Sequence, residues 1–313
     1  LKNWEMGVSL VGNKHLVSSK NKVFAFSSDM KPALFIENGD EVVFETMDCF
    51  SNQIRTAEDR LENLNWAEVN PATGPVFVNG AKPGDVLVVE ILDIEVANQG
   101  VMVAGKGLGP LGEKFDGFHT KIVKIKDGCA MFNDLELPID PMIGVIGVAP
   151  KDGTINCGTP GPHGGNLDTK YIKKGAKVLL PVFVEGGLLA LGDLHALMGD
   201  GEICGTGIEV AGKVTTRVFV KKGIELRNPM VISGGSLFTL ASGKTLDEAM
   251  KEAVNDMAEF VLRYANMSLE ELTMLFSIVG HTEISQVVDP LVTARFRIPL
   301  DILEKLRIPK DLF

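Results

Sequence analysis

KVLLPVFVEGGLLALGDLHALMGDGEICGTGIEVAGKVTTRVFV, residues 177–220, carries the pattern that decides the fold. Its apolar runs are short, rich in branched aliphatic residues, and broken by Gly, Pro or Asp, which reads as successive strands joined by turns. Inside it, residues 192–209 bring together four acidic side chains, a histidine, a cysteine and five glycines. A bendable backbone crowded with ligand-type residues lies between hydrophobic flanks.

The same texture extends toward the N-terminus. HLVSS, KVFAFS, PALFIENGDEVVFETMD, GPVFVNG, DVLVVEILDIEVA, GFHTKIVKIKDG, CAMFND and LELPIDPMIGVIGVAP are all strand-like runs. ENGDEV, KPGDVL and KKGAKV share one plan, a tight polar turn feeding a strand, yet no repeat of fixed period is present. Many short strands argue for a sandwich or barrel rather than a βαβ sheet. Toward the C-terminus the period changes. In TLDEAMKEAVNDMAEFVLRYANM, Leu246, Ala249, Met250, Ala253, Val254, Met257, Phe260 and Val261 recur at three and four, the stripe of an amphipathic helix. Thr245 with Glu248, and Ser268 with Glu271, form capping boxes, and Gly280 ends the second helix. EISQVVD and TARFRIP then read as strands and DILEKL as a short helix. These features predict a β-rich region over 1–225 carrying most of the site and an α+β region over 226–313. No flexible linker divides them, so a shared core is expected.

A net charge of −10 with basic residues scattered singly or in pairs disfavours nucleic acid. No apolar run approaches the roughly 18 residues of a membrane span. The N-terminus lacks the basic-then-apolar design of a secretory signal. Four distant cysteines without a CxxC pair point to reduced thiols and a cytoplasmic protein.

Residues 70–90, NPATGPVFVNGAKPGDVLVVE, resemble a signature of the acetamidase/formamidase family. PMIGVIGVAP (141–150), the long block over 160–209 and FSIVGHTEISQVVDP (276–290) are similar to that family as well, in order along most of the chain. The resemblance implies a mainly β, jelly-roll-like β-sandwich with an α+β C-terminal portion. It further implies hydrolysis of a short-chain amide to carboxylate and ammonia, and a homodimer or higher homo-oligomer. Where the family reads GDGHAAQGDGE this chain has Leu194, Leu197 and Met198, changes expected to narrow or dry the pocket.

Amide hydrolysis needs a polarised carbonyl, a nucleophile and a proton for the leaving nitrogen. A divalent metal with an open position meets the first two needs, and a carboxylate meets the third. Asp193 and His195, two apart, share one face of an extended backbone, and Asp200 and Glu202 repeat the spacing after Gly199. His163, Asn166 and Asp168 form a second cluster in PHGGNLD, and Asp48 follows the VVFET strand. Asp193 and His195 are therefore the expected metal ligands, with Asp48, His163 and Asp168 as further ones. Glu202, paired with Asp200, is the expected catalytic base, and Gly164, Gly165 and Asn166 the substrate or oxyanion contacts. Mixed O/N ligation suits zinc, with calcium at a second, all-oxygen subsite. Each motif also has a plainer reading. GDGE alone is commonly a solvated turn, PHGG a structural turn, and Asp48 a turn residue. FSIVGHTEISQVVDP reads as structural, with His281 and Asp289 in turns. Two rival functions stay open: an amidase using Cys204 as nucleophile, and a non-catalytic binding protein of the same fold.

Overall fold

The strand Val86–Val96 shows how the layers arise. Leu87, Val89 and Ile91 enter one apolar cluster while Val86 and Val88 enter another, because successive side chains of a strand leave opposite faces. In this computed structural model, which describes residues 12–59 and 61–309, that strand lies inside a nine-stranded sheet. Its order is Lys14–Val17, Glu41–Thr46, Gly212–Lys221, Val86–Val96, Lys177–Pro181, Met230–Ser233, Ser236–Gly243, Val292–Pro299 and His281–Gln286.

One face of this sheet packs on a second, eleven-stranded sheet. Phe44, Val89 and Leu180 from the first meet Ile143, Ile146, Leu189 and Leu191 from the second in a single buried cluster. The other face is covered by helix α1 (Leu246–Leu262) and helix α2 (Leu269–Val279), with Leu179, Leu237 and Phe296 against Ala253, Met257 and Phe260. The chain is thus mainly β, two sheets face to face with C-terminal helices outside, as the sequence texture predicted. A short helix, α3 (Leu300–Lys305), follows the last strand.

Local sequence explains the details. EVVFET buries Val42, Phe44 and Thr46 while Glu41, Val43 and Glu45 stay half-buried. KVFAFS divides into Lys22–Val23 and Ala25–Ser27, which pair in different sheets. The Ser268–Glu271 capping box forms completely. At α1, Thr245 Oγ1 accepts from Glu248 N, but the Glu248 carboxylate accepts from Lys244 N, one residue earlier than the box expects. Gly280 ends α2 with φ −89. Its value there is space, since a β-carbon would strike the Phe296 ring.

Strand Leu189–His195 positions the site. It is buried along its whole length and pairs with Met142–Gly147, Glu209–Val210 and Ala72–Val78. Its C-terminal end brings His195 directly opposite Glu209.

Candidate active site

At the end of that strand the side chains part. Leu194 joins the core between the sheets, whereas Asp193 Oδ1 and His195 Nε2 meet at 3.5 Å. The two converge as the spacing predicted, by a different backbone: Asp193 has φ 52. Asp168 at φ 39 and Glu202 at φ 48 share this left-handed region, which costs a non-glycine residue on the order of 1–3 kcal/mol. Such positions persist only where surrounding pairing enforces them. Here the Asp168 N–H donates to Gly144 O at 3.3 Å and the Glu202 carbonyl accepts from Gly205 N at 2.8 Å.

Around His195 Nε2 stand oxygens of Glu209 at 3.2 Å, Asp193 at 3.5 Å, and Asp168 and Glu202 each at 3.8 Å. Cys49 adds a thiol, and the sets Cys49–Asp193–Glu209, Asp168–Asp193–His195 and His195–Glu202–Glu209 each bring ligand atoms within 4.8 Å of one another. Donors sharing one ion at about 2.0–2.2 Å stand roughly 3.3–3.6 Å apart in a tetrahedron. The spacings around His195 bracket that value. Both Asp168 oxygens, Asp193 Oδ1, His195 Nδ1 and Glu209 Oε2 are buried without a hydrogen-bond partner, and each such group costs about 1–3 kcal/mol if left so. This donor set fits a divalent cation. Two glycines make room for it. A β-carbon on Gly144 would overlap Asp168 Oδ1 and sit 2.6 Å from Asp193 Oδ2, and one on Gly207 would sit 2.7 Å from His195 Cγ.

The electrostatics agree. Burial, with the Glu202 charge adding to it, pushes Asp168 well above the usual carboxylate range. Burial likewise raises Glu202 well above that range and Glu209 to about 7. Burial disfavours imidazolium, yet the Glu209 and Asp193 carboxylates outweigh it and hold His195 well above its ordinary value. The cluster is short of positive charge.

A cavity of about 150 Å³ opens beside it, lined by Asp193, Glu202, Glu209, Asn166, Asp289, Asn70 and Cys49 and walled by Phe50, Leu61, Trp66, Val69, Val103 and Leu108. Asp289 and Glu209 were not singled out from sequence as site residues. The signal for Glu209 was a lone acid between Ile208 and Val210. Asp289, read as a turn residue, is half-buried and raised well above the usual range, by burial first and then by the Asp168 charge.

Other expected residues lie elsewhere. Asp48 Oδ1 caps a turn by accepting from Phe50 N at 3.0 Å and Asn52 N at 2.7 Å, outside the ligand-distance groups. His163 packs edge-on to Phe26 at 5.2 Å, and burial lowers it to about 4. It too stands outside those groups. Asp200 is bound to Lys170 at 2.7 Å and Arg295 at 2.8 Å. Although burial opposes ionisation, these two cations hold it below its ordinary value. The structure thus places Asp200 in an ion-pair network with Lys170 and Arg295, apart from the groups of ligand atoms that include Glu202. At Gly164 and Gly165 a β-carbon would strike the Ile146 and Thr159 carbonyls, and the Gly164 N–H donates to Gly161 O. Both glycines lie where the backbone of neighbouring segments comes too close for a side chain. Asn166 lines the cavity and gives its Nδ2 hydrogens to Asp289. Cys204 donates to Thr206 O and lines a neighbouring apolar cavity of about 490 Å³, together with Leu197 and Met198. The sequence departures at 197 and 198 therefore shape that cavity, while Leu194 fills core.

Comparison with known proteins gives one consistent result. The model of the Acetamidase/Formamidase family matches residues 13–157 and 154–305. The crystal structure of a predicted acetamidase/formamidase from Thermoanaerobacter tengcongensis is 57% identical, covers 95% of this chain and 99% of its own, and superposes with a TM-score of 0.94. An acetamidase from Bacillus halodurans is 49% identical over 94% of this chain and 100% of its own, with a TM-score of 0.92. The formamidase of Methylophilus methylotrophus is 26% identical over 88% of each chain.

Proposed function

The chain belongs to the acetamidase/formamidase family, and from that premise we propose that it hydrolyses short-chain primary amides to carboxylate and ammonia with metal-assisted attack by water. The observation that carries the metal part is the buried cluster of Asp168, Asp193, His195 and Glu209, whose ligand atoms face one another without enough positive charge or hydrogen bonds. Asp168, Asp193 and His195 would hold the ion. Its single imidazole favours zinc or another transition metal over calcium, which prefers all-oxygen sites. A divalent ion bound there supplies Lewis acidity for the amide carbonyl and makes water more acidic.

The protein supplies the remainder. Glu202, buried at the cavity wall 3.8 Å from His195, accepts the proton of the attacking water and returns it to the departing nitrogen. The apolar wall of Phe50, Leu61 and Val103 shelters the acyl group from bulk water. Cys204 lines the adjacent cavity, and burial holds the Cys49 thiol well above its ordinary value, in the non-nucleophilic form.

Free cysteines at 49, 129, 157 and 204 support a reducing compartment such as the cytoplasm. Among the described residues no helix is long and apolar enough to cross a membrane. Exposed Leu269, Met274 and Ile278 on α2, and Ile284 on the outermost strand of the nine-stranded sheet, support assembly into a homo-oligomer.

Ammonia release from formamide, acetamide and propionamide tests the reading, before and after chelation and again after adding back zinc. Activity lost to the chelator and restored by metal is expected. Full activity in chelated, metal-free protein would overturn the metal-assisted mechanism, and silence toward every amide in metal-loaded protein would overturn the amidase.

A further inference from the structure

Asn166 sits at the cavity wall and is 5% exposed. Its Nδ2 donates to both Asp289 oxygens, at 3.1 and 2.9 Å. Its Oδ1 is buried and has no hydrogen-bond partner. The two contacts to Asp289 decide which way the amide faces: flipped, it would set Oδ1 against two carboxylate oxygens. Asp289 therefore spends the donors of Asn166 and leaves its acceptor for something else. A second amide oxygen on the same cavity, Asn70 Oδ1, is likewise buried and unpartnered. Asn70 has φ 58, and its N–H is tied to Cys49 O, which fixes the residue at the wall.

Two orphaned carbonyl oxygens on one small cavity call for a ligand with two hydrogens to give. A primary carboxamide carries them on its nitrogen, an N-alkyl amide has one, and an ester has none. We propose that Asn166 and Asn70 are specificity residues that accept the two N–H hydrogens of the substrate's –NH2 group, with Asp289 as the positioning residue that locks the Asn166 acceptor in place. The assignment rests on the amidase reading above and names the residues that enforce its choice of unsubstituted amides. It also orients the substrate, placing the leaving nitrogen at the Asn166 wall. Discrimination should be large, because a substrate lacking those hydrogens leaves buried oxygens unpaired, and sites built that way reject the analogue by about 10⁴-fold or more.

The test uses metal-loaded full-length protein with acetamide, N-methylacetamide and methyl acetate, three substrates that share one acyl group. In the parent, kcat/KM for acetamide should exceed that for N-methylacetamide by about 100-fold or more. In Asn166→Leu the acetamide to methyl acetate ratio of kcat/KM should fall at least roughly 100-fold, with metal content at the parental value. Asp289→Asn, which frees the Asn166 amide to turn, should lower the same ratio by a smaller factor. Asn70→Leu, at a less buried position, repeats the test if Asn166→Leu does not fold. Equal losses on amide and ester, or a parent that accepts N-methylacetamide as readily as acetamide, would overturn the assignment and leave the amidase standing. A parent inert to acetamide would overturn the amidase reading, and this assignment with it.

Discussion

Two regions of this molecule bury charge, and they do so in opposite ways. At the C-terminal hairpin, Arg295 is buried among partners on all sides. It binds Asp200 and Glu283, each at 2.8 Å, donates to Ile284 O and Ser285 Oγ, and lies 4.8 Å over the Tyr171 ring. Arg297 completes the pair with Glu283. At the end of strand Leu189–His195, four carboxylates face one imidazole, and several of their atoms have no partner at all. A closed charge network is structure. An open one with one sign in excess could hold a cation, since uncompensated burial of charge is among the costliest arrangements a fold can keep.

Substitutions can break or sharpen that contrast. The largest effect is expected in the open cluster. Asp193→Ala or His195→Ala should bring ammonia release to background and remove bound metal, as elemental analysis would show, with little loss of Tm in chelated protein. A severe fall in stability there would erase the distinction between the regions. Next comes Glu202→Gln, which should lower kcat by about 10²–10⁴-fold, the usual worth of a positioned acid–base group, while metal content stays parental. Retained turnover would remove Glu202 from proton transfer.

In the closed network the expectation reverses. Arg295→Met should cost about 3 kcal/mol in denaturant unfolding, at the low end for a broken buried pair because Asp200 and Glu283 keep some contact with water. An unchanged midpoint would show that the network does not bind the hairpin to the GDGE turn. A smaller closed pair serves as a pH control. Asp40 accepts from Asn13 N at 2.8 Å, from Glu37 N at 3.0 Å and from His15 at 2.8 Å. Burial opposes ionisation, but these bonds, led by Glu37 N, lower its pKa. A depressed folded value adds stability that is present above the unfolded pKa of about 3.9 and is lost as pH falls through the folded one. Asp40→Asn should therefore cost about 1–2 kcal/mol near neutrality, and that difference should shrink toward zero in acid. A difference that grew as pH fell would contradict the assigned direction.

Much of this was legible in the sequence, for a physical reason. Strand period, turn chemistry and helix caps are local, so DVLVVEILDIEVA, the Ser268–Glu271 box and the α1 stripe declared themselves without a partner. Asp193 and His195 were also local, two residues apart on one strand. Glu209 and Asp289 were harder. Glu209 reaches His195 only because Glu209–Val210 pairs with the end of Leu189–His195, and Asp289 reaches Asn166 across 123 residues of sequence. Asp200 shows the opposite case. Its spacing from Glu202 suggested a shared task, but Arg295, 95 residues away, claims it. Spacing reports which side chains share a face, and distant partners decide what each one does.

Anomalous diffraction at the zinc edge, on crystals of protein purified without added metal and then soaked in zinc, tests the central claim most directly. The account predicts a strong peak within coordination distance of Asp193 and His195. A map with no peak in that cavity, alongside zinc bound elsewhere on the same crystals, would contradict it.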